Sequence, residues 1–357
     1  MSDSRIRLAV VFGGRSGEYD VSCSSAASIL TYVDRGKYDI LAVHIGSDGI
    51  WTCEQDVPRF ENAADARHWQ KATFPAAGTG TMAESMLAAM TEIAARCDLV
   101  FPALHGRFGE DGAIQAILEQ YGIPYVGNGV LAGALGMDKE YTKKLAVGAG
   151  LTVNDAVVLR RGQNELTAAE RDRLGLPVFI KPSREGSSIG VSRVDNWDQL
   201  PDALDRARQS DEKVLVEAAV FGREVDIGVL ERPDGELTVS PPMEILPSVD
   251  HAFFDYQAKY DDTTTRFDVP AKLDPAVIAG LSEDALRVFR ELDCAGLLRV
   301  DFFVAEDGTR ILNEVNTFPG FTSHSQYPRM WQAVGLTYDA LLDVLISTAQ
   351  RRSRTPR

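Results

Sequence analysis

The first third of the chain alternates short apolar runs with longer amphipathic segments. The run from Leu8 to Phe12 has the unbroken apolar character of a buried parallel strand, and a glycine turn and a helical segment follow it. Further strands are predicted at "YDILAVHIG", "DLVFPALHG" and "IPYVG", with helices at "MAESMLAAMTEIAARC" and "DGAIQAILEQYG". This alternation predicts a parallel α/β domain that ends near residue 136.

The rest of the chain is patterned for hairpins and helices. A helical segment at "MDKEYTKKLAVGAG" precedes "LPVFIKPSREGSSIGVSRV", where a stretch rich in glycine and serine separates two apolar runs and predicts a hairpin with a long tip. Residues 247–266 show little periodicity and predict a long loop, which in compact enzymes is often a lid. A helix at "PAVIAGLSEDALRVFRELD", a second hairpin and a C-terminal helix near 336–350 follow.

The second hairpin, "RVDFFVAEDGTRILNEVN", carries an unusual pair of carboxylates. If residues 307–308 form a two-residue turn, Asp301 lies opposite Glu314. Arg299 then lies opposite Asn316, and all four side chains project from one face. Like charges in such positions repel. Either this face is solvated and Arg299 offsets part of the repulsion, or the carboxylates hold a divalent cation that also binds phosphate. The hairpin alone leaves both explanations open.

Composition narrows the possible partners. Of 357 residues, 37 are basic and 52 acidic, and the net charge of −15 argues against a nucleic-acid-binding surface. A polyanionic substrate such as ATP therefore needs local lysines or metal ions. The cysteines at 23, 53, 97 and 294 have no metal-binding spacing and suit a reduced, cytoplasmic protein. We find no signal peptide and no apolar run of membrane-spanning length, so we expect no membrane partner.

Candidate groups for phosphate and substrate are scattered along the chain. In "KPSREGSSIG", Lys181 precedes a loop whose backbone N–H groups and serine hydroxyls suit phosphate oxygens, although a surface turn would have the same composition. "FGGRSGE" places Glu18 after the first strand but lacks the spacing of a dinucleotide fingerprint, which disfavours an NAD-dependent dehydrogenase. His105 follows another strand and has either a structural or a substrate-binding role. Lys259 and Tyr260 fall in the long loop.

Seven segments together resemble one family. They are "VFGGRSGEYDVS", "LHGRFGEDGAIQ", "GMDK", "IKPSREGSSIGV", "DYQAKY", "RVDFFV" and "NEVNTFPGFTSHS". Their order, from about residue 8 to 347, resembles that of D-alanine–D-alanine ligases of the ATP-grasp superfamily. The resemblance implies an N-terminal parallel-sheet substrate domain at 1–136, a central ATP-grasp domain at 137–224 and a C-terminal ATP-grasp domain at 225–350. ATP would lie between the last two domains, and the C-terminal one would carry the lid and the metal site.

The resemblance also implies roles for individual residues. ATP would be bound by Lys139, Lys181, Ser188, Glu217, Val220, Glu224 and Lys259. Two Mg²⁺ or Mn²⁺ ions would be bound by Asp301, Glu314 and Asn316. Catalysis would involve Glu18, Ser187, Tyr260, Arg299 and Gly320. D-Alanine would be bound by Glu18, His105, Ser325 and Gln326. The bound ions would explain the paired carboxylates of the hairpin.

The implied reaction has two steps. ATP phosphorylates the carboxylate of one D-alanine, and the amino group of a second D-alanine attacks the acyl phosphate to give a dipeptide for peptidoglycan synthesis. Phosphoryl transfer depends mainly on positioning and charge neutralisation, and Arg299 with the Gly320 N–H would stabilise the oxyanion that follows. The resemblance also implies a homodimer.

Some positions depart from the family pattern. Gln326 stands where leucine or methionine is common, and relatives that use D-lactate or D-serine carry polar residues there, so ligases for those substrates are the alternatives. Tyr260 favours an amine over lactate as the second nucleophile. Ala219 replaces an aromatic residue that often borders the adenine. A non-catalytic binding protein is a further alternative, which Arg299 disfavours because simple binding needs no oxyanion donor.

Overall fold

The computed structural model describes residues 5–74, 78, 80–246 and 266–353. Their strands form three sheets, which successive parts of the chain supply. The helix Lys139–Gly148, which begins just after the predicted limit at 136, contacts both the second and the third sheet. The domain limits at 136 and 224 stay predictions.

The first sheet contains four strands. They are β1 (Ile6–Gly13), β2 (Tyr38–Ile45), β3 (Trp51–Glu54) and β4 (Leu99–Pro102), in the order β3-β2-β1-β4. β1, β2 and β4 are parallel, which confirms the predicted parallel α/β unit. The antiparallel edge strand β3 was not predicted, and the strand predicted at "IPYVG" is reduced to a single bridge between Val100 and Tyr125. The helices of this part are Tyr19–Tyr32, Ala63–Thr73, Met82–Arg96 and Ala113–Gln120.

The second sheet is antiparallel and also has four strands. They are β5 (Ala156–Leu159), β6 (Val178–Pro182), β7 (Ser192–Val194) and β8 (Val214–Ala218), in the order β5-β8-β6-β7. β6 and β7 form the predicted hairpin, with residues 183–191 as its tip. The helices that precede or cover this sheet are Val130–Met137, Lys139–Gly148, Ala168–Leu174 and Leu200–Arg208.

The third sheet has six strands. They are β9 (Arg223–Glu231), β10 (Leu237–Val239), β11 (Met243–Leu246), β12 (Arg266–Asp268), β13 (Leu297–Val304) and β14 (Arg310–Asn316). The order is β12-β11-β9-β13-β14, with β10 paired to β9. The helices of this part are Pro275–Glu291, Gln326–Gln332 and Tyr338–Ser353. In the part of the chain that the structure describes, no helix has both the length and the apolar character to cross a membrane.

The β13–β14 hairpin has the predicted pairs but not the predicted turn. Asp301 lies opposite Glu314 and Arg299 opposite Asn316, as expected. Val304 pairs with Arg310, however, and the Ala305 N–H donates to Thr309 O, so the loop has three residues, 306–308, instead of two. A register shift between Asp301 and Phe302 adds one residue to β14, and this extra residue restores the predicted pairs from Asp301 back to Arg299.

The apolar residues form separate cores. One cluster joins the first sheet to the third through residues such as Phe101, Phe321 and Leu341. A second lies on the other face of the third sheet, against Pro275–Glu291. The second sheet has its own cluster, drawn from residues 157–218, which does not merge with the others. The molecule therefore consists of one body built on the second sheet and one body built on the first and third.

Candidate active site

A cavity of about 500 Å³ lies between the second and third sheets. Ten residues predicted from the sequence line it: Lys139, Lys181, Ser188, Glu217, Val220, Glu224, Arg299, Asp301, Glu314 and Gln326. The chain crosses from β8 to β9 at one end of the cavity, which brings residues 217–224 together there. A cavity of this volume accommodates a ligand as large as a cofactor.

One wall of the cavity contains Lys181 and the buried carboxylate of Glu217, and Lys143 pairs with the same carboxylate from outside the lining. Lys181 Nζ lies 2.8 Å from Glu217 Oε2, and Lys143 Nζ lies 3.1 Å from Glu217 Oε1. Burial acts to raise the pKa of Glu217, but the two ammonium groups outweigh it and hold this pKa well below its usual range. Burial likewise acts to lower the pKa of Lys181, and Glu217 outweighs it, so the pKa of Lys181 is raised. Lys181 therefore stays protonated and suits a phosphate oxygen.

Lys143 was not predicted from the sequence. It lies one helical turn after Lys139 on Lys139–Gly148, so both side chains leave the same face of the helix, and this spacing is the signal that identifies it. Lys139 Nζ donates to Glu185 O at 2.7 Å and lies 3.4 Å from Glu314 Oε2. Lys139 thus connects the tip of the β6–β7 hairpin to the third sheet.

The opposite wall contains the hairpin carboxylates. Arg299 donates to both oxygens of Asp301, at 2.7 and 2.8 Å, and Asn316 Nδ2 donates to Asp301 Oδ2 at 3.0 Å. Asp301 and Arg299 are 8% and 7% exposed, so this half of the face is buried, whereas Glu314 and Asn316 are partly exposed. Burial acts to lower the pKa of Arg299, but Asp301 and then Asp226 outweigh it and raise this pKa. Arg299 therefore remains a cation inside the cavity.

Sequence reasoning missed Asp226. It lies on β9 directly opposite Asp301, so carboxylates from three adjacent strands form a row of Asp226, Asp301 and Glu314. A single acidic residue inside the apolar run of β9 is the signal that identifies it. Asp226 Oδ2 accepts from Gln326 Nε2 at 2.9 Å.

A second group of polar residues surrounds Glu18, which is 6% exposed. The Ser187 hydroxyl donates to Glu18 Oε1, while Oε2 is buried and has no hydrogen-bond partner among the described residues. A Cβ atom at Gly186 would lie 2.8 Å from Glu18 Oε2, and one at Gly106 would lie 2.7 Å from it, so a side chain at either position would have to displace this carboxylate. Burial, and next the charge of Glu18, raise the pKa of Glu185 on the same loop.

His105 lies at the border of this group, but its ring is already engaged. Nε2 shares a hydrogen bond of 2.8 Å with the Ser25 hydroxyl, and Nδ1 lies 3.2 Å from Phe318 O. Glu110, also not predicted, lies 3.7 Å from Nδ1, and burial raises its pKa. His105 thus ties the first sheet to the segment that leads to Gly320.

Gly320 and Ser325 lie close together after β14. A Cβ atom at Gly320 would lie 3.3 Å from Ser325 Oγ, and Thr322 N donates to the same hydroxyl at 3.0 Å. Ser325 immediately precedes the helix Gln326–Gln332. Lys259, Tyr260 and all of the predicted lid except Arg266 lie outside the described residues, so their predicted roles are unaltered by the structure.

The donor set of the hairpin fits a hard divalent cation. Asp301 and Glu314 offer carboxylate oxygens and Asn316 an amide oxygen, and Mg²⁺ typically takes one or two carboxylates and completes its shell with water and substrate phosphates. Within 5–74, 78, 80–246 and 266–353, no three His, Cys, Asp or Glu side chains group closely enough to hold an ion by themselves.

Comparison with known sequences agrees with this geometry. Residues 7–128 match the family model described as the D-ala D-ala ligase N-terminus, and residues 145–347 match that of the D-ala D-ala ligase C-terminus. A D-alanine–D-alanine ligase of Mycobacterium sp. (strain KMS) is 48% identical over 363 residues, which cover 98% of each chain.

Comparison with solved structures extends the likeness to the fold. The VanG D-Ala:D-Ser ligase from Enterococcus faecalis has a TM-score of 0.80 and 35% identity, covering 97% of this chain and 99% of that one. A D-alanine–D-alanine ligase from Bacillus anthracis complexed with ATP has a TM-score of 0.76 and 26% identity, covering 98% and 99%. These likenesses confirm the predicted three-domain ATP-grasp fold. The chain belongs to the D-alanine–D-alanine ligase family.

Proposed function

We propose that this protein joins two molecules of D-alanine into D-alanyl-D-alanine for peptidoglycan synthesis, with conversion of ATP to ADP and phosphate. Full-length relatives that carry this name support the proposal, as does the ATP complex of the Bacillus anthracis enzyme. The observation that carries it is the cavity in which Lys139 and Lys181 face Arg299, Asp301 and Glu314.

ATP is proposed to lie in this cavity. Lys139 and Lys181 contact its phosphates, and Ser188 supplies a hydroxyl from the loop between β6 and β7. The further nucleotide contacts are assigned to Glu217, Val220, Glu224 and Lys259. Because its carboxylate already pairs with two lysines, Glu217 also aligns the ammonium groups for the phosphates.

Asp301, Glu314 and Asn316 are the residues that would hold Mg²⁺ or Mn²⁺, with two ions in the proposal. Bound there, the ions would neutralise charge on the phosphates. The chain's own residues already limit repulsion between the two carboxylates, since Arg299 pairs with Asp301 and Lys139 lies beside Glu314.

Glu18 is proposed to bind the ammonium group of the first D-alanine. Its buried Oε2 needs a donor, and Ser187 holds its other oxygen in place. His105 borders the same substrate. The carboxylate of this D-alanine attacks the terminal phosphorus of ATP, so that a new P–O bond forms and ADP leaves.

The second D-alanine then reacts as an amine. Its ammonium group loses one proton to solvent before the nitrogen bonds to the acyl carbon. The bonded nitrogen loses a second proton to solvent as phosphate departs with the electrons of the C–O bond. Arg299 and the Gly320 N–H stabilise the oxyanion formed in between. Ser325 and Gln326 bind the carboxylate of this substrate. Tyr260, with Ser187 and Glu18, orients the amine.

Product analysis tests the proposal. The purified protein with ATP, Mg²⁺ and D-alanine should release ADP and form D-alanyl-D-alanine, detected by mass spectrometry, whereas L-alanine should give neither. Lys181→Met should raise the KM for ATP, because a phosphate contact is lost. ADP release that does not depend on D-alanine, or release without dipeptide, would contradict the proposal.

A second candidate is a ligase that joins D-alanine to D-serine. The likeness to the Enterococcus faecalis enzyme and the polar Gln326 in the cavity wall favour it. Competition among equal concentrations of D-alanine, D-serine and D-lactate at neutral pH distinguishes the candidates by the main product. We expect D-alanyl-D-alanine.

We further propose a cytoplasmic homodimer that binds neither nucleic acid nor membrane, as the family resemblance implies. One chain has a mass of 39.0 kDa, and light scattering on the purified protein should give twice this mass. The mass of a single chain at micromolar concentration would contradict the dimer without affecting the proposed reaction.

A further inference from the structure

The side chain of Gln326 is held at both ends by charged residues. Its Oε1 accepts from Arg299 Nη1 at 3.1 Å, and its Nε2 donates to Asp226 Oδ2 at 2.9 Å. Asp226 is 2% exposed and Arg299 is 7% exposed, so both partners are buried in the cavity wall. Asp226 Oδ2 also lies 3.5 Å from Arg299 Nε, which joins the three side chains into one network.

This network leaves one orientation for the amide. A guanidinium only donates hydrogen bonds, and an ionised carboxylate only accepts them. The reversed amide would turn its N–H groups toward Arg299 and its carbonyl oxygen toward Asp226, and would lose both bonds. Asp226 and Arg299 therefore determine which atom of Gln326 lies where.

We infer that Asp226 is a positioning residue that holds Gln326 against the wall and so prevents it from hydrogen-bonding a hydroxyl group on the second substrate. The inference rests on the proposed function, which places the second D-amino acid beside Gln326. To meet a serine hydroxyl, Gln326 would have to withdraw from a buried carboxylate or a buried guanidinium. Removal of a hydrogen bond from a buried charged group costs more than a new bond between neutral groups returns. A polar residue at this position is thus compatible with selection of D-alanine.

Two substitutions and their combination test the inference. Asp226→Asn keeps the shape of the side chain but removes its charge, so Gln326 is held less firmly. In competition between equal D-alanine and D-serine, we expect the ratio of D-alanyl-D-serine to D-alanyl-D-alanine to rise about two- to tenfold, the value of one neutral hydrogen bond. Gln326→Leu alone should leave the ratio within about twofold of wild type, since any contact of the amide is with the carboxylate that both substrates share and not with the hydroxyl that distinguishes them. The double variant should match Gln326→Leu, because Asp226 acts through Gln326.

The product ratio is the appropriate measurement because a loss of folded enzyme lowers both products equally. Asp226→Glu is the conservative control, and it should keep the ratio closer to wild type than Asp226→Asn does. An unchanged ratio in Asp226→Asn, or a rise that persists in the double variant, overturns the inference. If Asp226→Asn does not fold, the product ratio of Gln326→Leu decides alone. A fall of more than about tenfold in the share of D-alanyl-D-serine would show that the amide binds the hydroxyl in the wild-type protein, and would overturn the inference. Absence of either dipeptide from the wild-type protein refutes the proposed function instead.

Discussion

Replacement of Glu217 by glutamine tests the buried lysine cluster directly. Glu217 is 1% exposed, and its two oxygens pair with Lys143 and Lys181. Removal of one partner from a buried ion pair costs about 3–5 kcal/mol, because the remaining charge stays buried. Glutamine still accepts a hydrogen bond, and Lys143, whose pKa burial lowers, can lose its proton. We therefore expect the low end, a decrease of about 3 kcal/mol in the free energy of unfolding.

Urea unfolding followed by circular dichroism at pH 7 measures this decrease. Asp195→Asn is the matched control, because Asp195 pairs with Arg193 at 2.8 Å on the same sheet but its side chain is 59% exposed. Exposed pairs contribute about 0–1 kcal/mol. If Glu217→Gln costs no more than the control, the reasoning about the buried cluster is refuted.

The pH dependence of this difference has a definite sign. The pKa of Glu217 in the folded state lies below 4.5, the ordinary value for the carboxyl group. The unfolded state therefore binds more protons as the pH falls through this range, and the stabilisation by Glu217 is lost there. The difference between wild type and Glu217→Gln should be constant near neutral pH and should shrink below pH 4.5. A difference that grows with acidity would contradict the assigned shift.

Three further predictions concern activity. Asp301→Asn and Glu314→Gln should each lower turnover about 100-fold, since each removes a carboxylate proposed to bind the metal ion that neutralises the phosphates. Circular dichroism should be unchanged, and near-wild-type ADP release in both variants would refute the metal assignment. Gly186→Ala should raise the KM for the first D-alanine about tenfold, because its Cβ displaces Glu18 from Ser187; an unchanged KM would show that Glu18 does not bind this substrate. Initial rates of dipeptide formation should rise from about pH 7 to 9 as the attacking amine deprotonates, and a flat profile would exclude amine attack as a limiting step.

The sequence predicted the parallel first sheet and the two hairpins because their apolar patterns are local. It did not predict β3, since "WTCE" has no apolar run, nor the bulge after Asp301, which depends on neighbouring strands. The right pairs in the β13–β14 hairpin arose because a longer loop and the bulge compensate each other. Local pattern therefore specifies strands and faces more reliably than turns.

The missed site residues share one property. Asp226 and Lys143 lie within an ordinary strand and helix, and what makes them notable is a partner far away in the chain. Asp226 meets Gln326 across 100 residues. Such pairs follow from the packing of whole sheets, which no local window contains. Residues inside glycine-rich or strongly patterned segments, such as Lys181 and Glu18, were found because their surroundings are distinctive.

The helix Lys139–Gly148 lies at the boundary between the two bodies and has one apolar side and one polar side. Its apolar side, with Ala146, belongs to the core of the third sheet. Its polar side reaches the second sheet, where Lys143 meets Glu217 and Glu140 Oε2 lies 3.0 Å from Lys213 Nζ. Exposure of apolar surface raises heat capacity, whereas exposure of polar surface lowers it. Because the side of this helix that meets the second sheet is polar, its exposure on separation of the two bodies should lower the heat capacity.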